Sequence, residues 1–501
     1  MTAIRGLSDT WPIAESGHSA RPLDPLSAAA LAYLALPLVL FCGGWLKPAY
    51  AALACLLLAV AAAAALRPRQ VSWRLPLPAS TLALAAAAGF AWAGFGGAGH
   101  FLYANTDWPM RDAVLMDLVH APWPPSYAVQ GGEHVILRTA LAYFLPAAAM
   151  GALLGAQHAD LILYLWTGLG VALFLALLPL PERPGARLAL ALAVIVLFSG
   201  MDAVGVALIA GYVPAPPMHL EWWAYPLQYS SHATQLFWVP NHALPGWIAA
   251  ALVFRHWREP AFWPVAVLLL ALLPLWTPFA ALGMTPFLAA LAADRLRRGL
   301  GLRLPPAVLL PALLLLALQV RYLGLGFEVL EASTPAQVVF EPARAALKYL
   351  RFVLLEFGVL ALGLAFLARH SRGLLAVAAA VLTVLPLISF GPSNDVVMRA
   401  SIPSLALLAI LCVCALQEAD SDSGRRMPRL LVIVALAVGA VTPAYEFWRA
   451  LARPRWAPAI DRTLPEAARG LPAHYVGRLD RWDLKAIMRT PAPVTRRDAI
   501  R

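Results

Sequence analysis

Charged residues are scarce in this sequence of 501 residues. Only 13% of the residues are Asp, Glu, Lys or Arg, whereas 61% are hydrophobic, and the mean hydropathy is +0.71. Soluble domains rarely exceed about half apolar residues, so this scarcity excludes an ordinary soluble globular protein. Apolar runs of about 18 or more residues recur along the chain, and each is long enough to span a bilayer. We therefore predict an all-α, polytopic helical membrane protein.

Cysteine is equally rare, and all four cysteines lie inside apolar runs. This placement excludes a disulfide framework and a cysteine metal site, and it is typical of small buried hydrophobic side chains. The N-terminus is polar as far as about Pro25 and lacks the pattern of a cleavable signal peptide. The four cysteines are Cys42, Cys55, Cys412 and Cys414.

The net charge of +11 does not indicate a nucleic-acid partner, because the basic residues lie mainly in short loops between apolar runs. The positive-inside rule places these loops in the cytoplasm. Strict alternation of every candidate span would put the first basic loop on the wrong side. We therefore expect the segment 136–155, which contains Arg138 and Pro146, to lie in the outer leaflet without crossing. The basic loops are 67–74, 181–187, 255–260, 294–303, 369–372 and 425–429.

This topology gives about thirteen transmembrane helices, a cytoplasmic N-terminus and a C-terminal tail outside. Three arginines that follow the last span argue against it, but six basic loops outweigh one tail. The Ala-, Leu- and Arg-rich composition favours a bacterial inner membrane. The predicted parts are a cytoplasmic segment 1–25, a transmembrane domain 26–447 with outer loops 99–135, 214–240, 324–345 and 392–401, and a basic extracytoplasmic tail 448–501.

The first outer loop contains the charged stretch 103-YANTDWPMRDAVLMDLVHAPWPP-125. Proline suits the first turn of a helix, so Pro109 predicts a helix start. Apolar residues then recur every four positions, which predicts a short amphipathic helix lying flat at the interface with its carboxylates in water. Asp107 is either a plain helix cap or a functional carboxylate. Asp117 and His120, one turn apart, are typical of a solvated pair.

The second outer loop combines aromatic residues with one carboxylate and three imidazoles. Its tryptophans Trp222, Trp223, Trp238 and Trp247 are typical of an interfacial belt. The polar residues could bind a metal, perform acid–base chemistry or hold a phosphate. Their spacing matches no standard zinc pattern. They are His219, Glu221, His232, Asn241 and His242.

The third polar group lies at the mouth of a late span, where Asn394 and Asp395 precede Arg399. Asp395 and Arg399 are four residues apart and could simply pair. Alternatively, Arg399 binds an anion and Asp395 orients it, because a guanidinium matches phosphate geometry. Asp202 is predicted to lie inside a span, where an ionisable side chain is costly and marks a functional candidate.

The order of these features resembles the GT-C superfamily of membrane glycosyltransferases, which use lipid-linked sugar donors. Their first large outer loop carries an acidic motif, and helices lying along the membrane follow it. The stretch 105-NTDWPMRD-112 and the non-crossing segment 136–155 match that order. Three spans precede the loop here, whereas the family usually has one.

The resemblance implies a polyprenyl-phosphate sugar donor, an acceptor that is a glycan, lipid or protein, and inversion at the anomeric carbon. Asp107 would be the general base, and Asp112 would assist it or bind a divalent ion, which some members use. Arg399 would stabilise the phosphate leaving group, with Arg111 and His242 as further candidates. Glu221 and His219 would shape the sugar or acceptor pocket. The remaining candidates for substrate binding are Asn241, Asp395, Asn394, His232 and Asp202.

Three other functions stay open on the sequence alone. A transporter would explain Asp202 and the many spans, but it predicts internal symmetry, and we find no repeat. A glycan polymerase or ligase would also use arginine and histidine in its outer loops. A structural subunit of an envelope complex would need no catalytic residue.

Overall fold

The computed structural model describes residues 23–67, 74–129, 133–326, 342–391, 393–418 and 423–495. Of the described residues, 71% are helical, which confirms the helical membrane class. Within the described ranges, nine helices are long and apolar enough to cross a membrane, judged by length and composition. They are Pro25–Trp45, Pro48–Leu66, Ala156–Leu177, Pro278–Arg297, Pro306–Leu323, Arg344–Leu367, Arg369–Leu387, Asp395–Gln417 and Arg426–Ala452.

Several predicted spans form shorter helices. The predicted span 187–211 is interrupted, because Ala186–Val196 and Asp202–Ala210 are separate helices. Asp202 therefore lies at a helix start and not inside a continuous span, which corrects its predicted position. The remaining helices are Ala79–Phe95, Trp108–His120, Leu145–Leu154, His232–Trp238, Pro240–His256, Trp263–Leu272, Leu464–Ala467 and Trp482–Ile487.

The segment 136–155 is not one helix. It contains the end of a strand, a single 3₁₀ turn at Leu141–Tyr143 and the ten-residue helix Leu145–Leu154. Ten helical residues rise about 15 Å, which is about half the hydrocarbon thickness of a bilayer. This helix is too short to cross the bilayer on its own.

A small four-stranded sheet departs from the all-α prediction. Strands β1 (Pro125–Ala128) and β2 (His134–Leu137) come from the first outer loop, whereas β3 (Val476–Arg478) and β4 (Ala492–Pro493) come from the C-terminal segment. The order is β3-β2-β1-β4, with β4 parallel to β1 and the other pairs antiparallel. Strands this short carry too weak a pattern to be recognised beside long apolar runs.

Small residues let the helices approach closely. Helix Ala79–Phe95 packs along helix Ala159–Leu177, and a Cβ atom added at Gly89 would lie only 2.8 Å from the backbone nitrogen of Ala172. Such contacts between small residues are a common way to join helices in membranes.

Contacts between loops show which helix ends lie together at each end of the bundle. On one side, Arg255 binds Asp24 at 2.9 Å, and Arg295 donates to the carbonyl oxygen of Pro260 at 2.6 Å. The basic loops 255–260 and 294–303 therefore meet there, and we call this side the basic end. The predicted cytoplasmic segment 1–25 lies almost wholly outside the described residues.

The C-terminal segment lies at the opposite end. Helix Arg426–Ala452 extends past the predicted start of the tail, and the chain then packs across neighbouring loops. The backbone N–H of Lys47 donates to the Ile487 carbonyl at 2.9 Å, and the N–H of Arg138 donates to the Tyr475 carbonyl at 2.7 Å. These contacts hold the tail against the first outer loop.

Candidate functional site

The start of helix Trp108–His120 presents Asp107 at the opposite end of the bundle. Its side chain makes no capping hydrogen bond and accepts one from Arg111 Nη2 at 3.3 Å. Its side chain is 42% exposed. The plain helix cap is therefore not what the structure shows. Asp107 is an accessible carboxylate with a basic partner.

The helix that follows is enclosed by protein, so the prediction that its carboxylates lie in water is wrong. Asp112 and Asp117 are both buried, although carboxylates in water were expected. Asp117 accepts hydrogen bonds from the Tyr127 hydroxyl at 2.7 Å and from the Leu464 N–H at 3.0 Å. The four-residue spacing failed because the C-terminal segment and the strands cover the face that the sequence assigns to water.

Arg111 is held in place by two neighbours. Its guanidinium donates to the Trp238 carbonyl and lies 5.6 Å from the centre of the Trp108 ring. The side chain is only 9% exposed, and its Nη1 atom has no hydrogen-bond partner in the described structure. A buried charged donor without a partner is costly, but this atom is also closed to solvent, so the unpaired donor does not by itself show an open anion site.

The third polar group contains the predicted pair. Asp395 and Arg399 form an ion pair at 3.0 Å, which agrees both with a simple pair and with an arginine that Asp395 orients. The Arg399 side chain nevertheless remains 26% exposed, and its Nε atom has no hydrogen-bond partner among the described residues. Asn394 adopts a left-handed backbone conformation with φ of 57° and accepts a hydrogen bond from the Phe390 N–H at 3.2 Å. Asparagine tolerates this conformation because its short side chain bonds locally.

His242 lies between the two arginines. It is buried near the start of helix Pro240–His256, and its Nδ1 is 2.6 Å from Thr277 Oγ1. The His242 N–H donates to the Val239 carbonyl at 2.9 Å, next to the Trp238 carbonyl that accepts from Arg111. Arg399 lies 6.0 Å from the ring of Phe279, two residues after Thr277, so the two arginines approach His242 from neighbouring segments. We call Asp107, Arg111, His242, Asp395 and Arg399 the arginine site; Asn241 and Asn394 lie next to it along the chain.

Asp112 contacts a different partner from Asp107. His100 Nε2 lies 3.2 Å from Asp112, and His100 Nδ1 lies 3.0 Å from Asp160. Burial disfavours the charged imidazole, but the two carboxylates outweigh it and raise the pKa of His100 to about 9. Burial also raises the pKa of Asp112. These three residues, the His100 triad, pack against Trp108 and so help to position the helix that carries Asp107.

The His100 triad consists of residue types that can ligate a metal ion, so its geometry bears on whether it is a metal site. In the described ranges, its potential ligand atoms all lie within 4.8 Å of one another. However, the two carboxylates face different nitrogens of one imidazole ring, and one ring cannot direct both nitrogens at one ion. The geometry therefore fits an imidazolium between two carboxylates, and we derive no step through a metal.

The second outer loop forms a separate, enclosed group. His219 Nδ1 lies 3.3 Å from Glu446 Oε1, and its Nε2 lies 3.6 Å from Glu221 Oε2. Burial opposes the charge on His219, but Glu446 and Glu221 outweigh it and raise its pKa. Both oxygens of Glu446 accept hydrogen bonds from Arg449 at 2.6 Å.

Glu221 is fully engaged. Its Oε1 accepts from the Ser231 N–H and its Oε2 accepts from Gln228 Nε2, each at 2.8 Å. Its side chain is 0% exposed, so a substrate cannot reach it in this conformation. This packing corrects the expectation that Glu221 directly lines a sugar pocket.

Asp202 lies deeper beside a second carboxyl group. Its Oδ2 accepts from Ser199 Oγ at 2.9 Å and from Thr442 Oγ1 at 2.8 Å, whereas its Oδ1 has no hydrogen-bond partner in the described structure. Glu356 is in a π-helical turn, a feature often found at functional sites, and it accepts from Trp223 Nε1 at 2.9 Å. We call the whole enclosed group the carboxylate cluster: Asp202, His219, Glu221, Glu356, Glu446 and Arg449.

His232 belongs to the core. Its Nδ1 lies 2.7 Å from the carbonyl oxygen of Ile195, and its ring packs against Phe198 and Trp247. Burial lowers the pKa of His232 to about 4, so the ring is neutral at pH 7. Its predicted role in substrate binding is therefore corrected to a packing role.

The sequence predictions missed the partners that complete these groups. Glu446 and Arg449 are three residues apart at the end of an apolar helix. An acid and a base at that spacing in a membrane segment mark a paired site, so the signal was present. His100 and Asp160 lie 60 residues apart, and no spacing rule connects them.

Comparisons of the chain with protein-family models, curated proteins and solved structures give no match.

Proposed function

We propose that this chain is a GT-C-type membrane glycosyltransferase of the bacterial inner membrane. It would use a polyprenyl-phosphate sugar from the surrounding lipids and transfer the sugar to a glycan, lipid or protein acceptor. Its arginine site would face the extracytoplasmic side. The separation of the basic end from the arginine site supports this orientation, because basic loops stay in the cytoplasm.

The arginine site carries the proposal. It combines an accessible carboxylate, Asp107, with two arginines that each keep a nitrogen free of hydrogen bonds in the described structure. A lipid-phosphate leaving group requires positive charge, and an acceptor hydroxyl requires a base. Asp107, Arg111 and Arg399 supply both kinds of group at one end of the bundle.

The proposed reaction is a single displacement. The Asp107 carboxylate takes the proton of the acceptor hydroxyl while that oxygen forms a bond to the anomeric carbon. The bond between this carbon and the phosphate oxygen breaks, and the electron pair leaves with the phosphate. Arg399 and Arg111 stabilise the negative charge that develops there. The configuration at the anomeric carbon inverts.

The enclosed groups would act indirectly. Arg111 donates to the Trp238 carbonyl, and Trp238 Nε1 donates to Glu446 at 2.9 Å. The carboxylate cluster would thus fix the position of Trp238, whose carbonyl accepts the hydrogen bond from Arg111. Asp112 would position the helix that carries Asp107 through the His100 triad, so both are positioning groups.

The direct test uses the purified full-length chain in nanodiscs. Radiolabelled undecaprenyl-phosphate sugars are supplied with a bacterial envelope fraction, and labelled product and released undecaprenyl phosphate are measured. We expect transfer by the natural sequence and none above background by Asp107→Asn, because an amide cannot accept the proton. Asp480→Asn, an exposed carboxylate of the C-terminal segment, serves as the matched control.

The outcomes separate the competing functions. Transfer by Asp107→Asn at the natural rate would overturn the base assignment. Growth of a glycan chain without consumption of a monosaccharide donor would favour a polymerase or ligase. Movement of labelled lipid between leaflets without any transfer would favour a transporter.

A further inference from the structure

Asp202 and Glu356, two members of the carboxylate cluster, lie against the same short segment of backbone, residues 199–201. The Met201 N–H donates to the Leu355 carbonyl at 3.0 Å, which joins the residues directly before the two acids. The two acidic side chains therefore start from backbone positions that lie side by side, although they are more than 150 residues apart in sequence.

Gly200 lets Glu356 approach this segment closely. A Cβ atom added at Gly200 would collide with Glu356 Oε2 and would lie only 2.8 Å from Glu356 Cα. Asp202 turns back onto the same segment, because its Oδ2 accepts from Ser199 Oγ at 2.9 Å. The two carboxyl groups therefore occupy adjacent positions on one turn of the chain.

Each of these carboxyl groups has one oxygen with partners and one without. Asp202 Oδ2 accepts from Ser199 Oγ and from Thr442 Oγ1. Glu356 Oε1 accepts from Trp223 Nε1 at 2.9 Å. Asp202 Oδ1 and Glu356 Oε2 have no hydrogen-bond partner in the described part of the chain, although the residues are only 0% and 1% exposed. Buried acceptors without a donor are costly, so these two oxygens require a hydrogen or a cation.

The charges of the cluster are unevenly balanced. The partners of Asp202 and Glu356 are neutral hydroxyl and indole groups, whereas the basic side chains contact the other two acids. His219 lies 3.6 Å from Glu221 and 3.3 Å from Glu446. Arg449 binds Glu446 at 2.6 Å. Two buried carboxylates without a counter-charge are very unfavourable, and buried acids in this situation normally take up a proton.

The tyrosines of the surrounding elements direct their hydrogens elsewhere. Tyr229 packs against Phe357, the residue after Glu356, but its hydroxyl donates to a backbone carbonyl at 2.6 Å. The hydroxyls of Tyr349 and Tyr445 also donate to backbone carbonyls, at 2.8 and 2.9 Å. Each hydroxyl has one hydrogen to donate, so these three do not satisfy the two open oxygens.

We propose that Asp202 and Glu356 form a proton-binding site, in which one proton from solution is shared between Asp202 Oδ1 and Glu356 Oε2. The proton makes one group a carboxylic acid, whose O–H donates to the other carboxylate. It thus supplies the missing donor and halves the negative charge of the pair, whereas a neutral donor would leave both charges in place. Acids inside membrane proteins commonly serve as proton sites. The site is separate from the arginine site and does not rest on the proposed function.

The pH dependence of thermal unfolding tests this inference on the full-length chain in nanodiscs. An acid that keeps its proton above the ordinary carboxyl pKa of about 4 makes the fold less stable as pH rises, because the unfolded state releases that proton and the folded state does not. Asp202→Asn and Glu356→Gln each place an amide N–H where the shared proton lies, and an amide does not titrate. We expect both variants to melt at or above the temperature of the natural chain at about pH 8, with a flatter pH profile.

Glu221→Gln is the matched control. Both oxygens of Glu221 accept from donors, so an amide there sets one donor against another and should lower the melting temperature near neutral pH. Infrared absorption gives a second measurement. The natural chain at neutral pH should show the C=O stretching band of a protonated carboxylic acid, which shifts in D₂O and which either amide variant of the pair removes.

Three results overturn the inference. The first is a fall in melting temperature in both amide variants as large as that of Glu221→Gln. The second is a natural chain without the carboxylic-acid band, which decides the matter even if neither variant folds. The third is a melting temperature of the natural chain that rises when Na⁺ replaces choline and no longer does so in the variants, because a metal cation would then occupy the two oxygens. Stable variants with a flatter pH profile, and a band that they lack, support the proton site whether or not sugar transfer is found.

Discussion

The arginine site and the carboxylate cluster lie at the same end of the molecule and use the same residue types, yet they differ in access. The Asp107 side chain is 42% exposed and that of Glu221 is 0% exposed. The Arg399 side chain is 26% exposed, whereas that of Arg449 is 8% exposed. Asp107 and Arg399 can therefore meet a substrate directly, whereas Arg111, whose side chain is 9% exposed, is almost as enclosed as Arg449.

Hydrogen bonding differs in kind between the two regions. In the carboxylate cluster, both oxygens of Glu221 and of Glu446 accept hydrogen bonds, and the buried atoms without a partner in the described part of the chain are acceptors, Asp202 Oδ1 and Glu356 Oε2. In the arginine site, Arg111 Nη1 and Arg399 Nε have no hydrogen-bond partner in the described part of the chain. Unused donors beside an exposed acid are typical of a binding site, because buried polar groups are otherwise paired.

The largest expected contrast is in activity. Asp107→Asn should lower sugar transfer by about 10²- to 10⁴-fold, the usual contribution of general base catalysis, with little change in melting temperature. Glu221→Gln should leave more activity than Asp107→Asn while lowering the melting temperature, because it disturbs buried hydrogen bonds. Transfer assays and thermal unfolding of both variants measure this. The reverse ranking would abolish the distinction between the two regions.

The next effect is in stability. Glu446→Ala should destabilise the chain by about 3–5 kcal/mol, because it leaves Arg449 and His219 buried without their partner. Asp107→Ala, in the accessible site, should change stability by only about 0.5 kcal/mol. Unfolding in detergent gives both values. Adding Arg449→Met to Glu446→Ala should recover part of the loss, and no recovery would contradict the pairing.

The His100 triad predicts a dependence of stability on pH. Its folded-state pKa of about 9 exceeds the ordinary value of 6.5. The charged imidazole therefore stabilises the fold fully below about pH 6.5, and this is lost as pH rises through about 9. The free energy of unfolding should fall by about 3 kcal/mol across that window, and the melting temperature should fall with it. His100→Gln should flatten this part of the pH profile; an unchanged slope would exclude the triad as its source.

The smallest expected effect concerns the kind of positive charge. Arg399→Lys keeps the charge but loses the planar fork, so undecaprenyl-phosphate binding should weaken by about tenfold. Arg429→Lys, at the basic end, should leave binding unchanged. Titration in nanodiscs compares the two variants. If Arg399→Lys binds normally, simple charge is sufficient at this position and the fork has no role.

The sequence predicted the class of fold better than its details. Long apolar runs identify membrane helices because the bilayer requires about 20 apolar residues per crossing. The same argument could not detect the break before Asp202 or the short strands, because a few polar or aromatic residues do not change a long hydropathy average. The enclosure of helix Trp108–His120 was also missed, since the covering helix Leu464–Ala467 is more than 300 residues away in sequence.

The sequence identified the residues of the candidate site better than it predicted which of them lie together. Asp107, Arg111, Asp395 and Arg399 were recognised because charge is rare in this chain and therefore conspicuous. Their separation from Glu221 and His219 could not be foreseen, because all these residues belong to loops of the same predicted face.

Composition and charge alone determined that the chain is a helical membrane protein and that its unusual polar residues fall in a few loops. Only the tertiary structure decided which of those residues meet. It enclosed Glu221 and Asp202 in the carboxylate cluster and left Asp107 accessible beside Arg111. The physical reason is that hydropathy is a local property, whereas burial depends on contacts between distant segments.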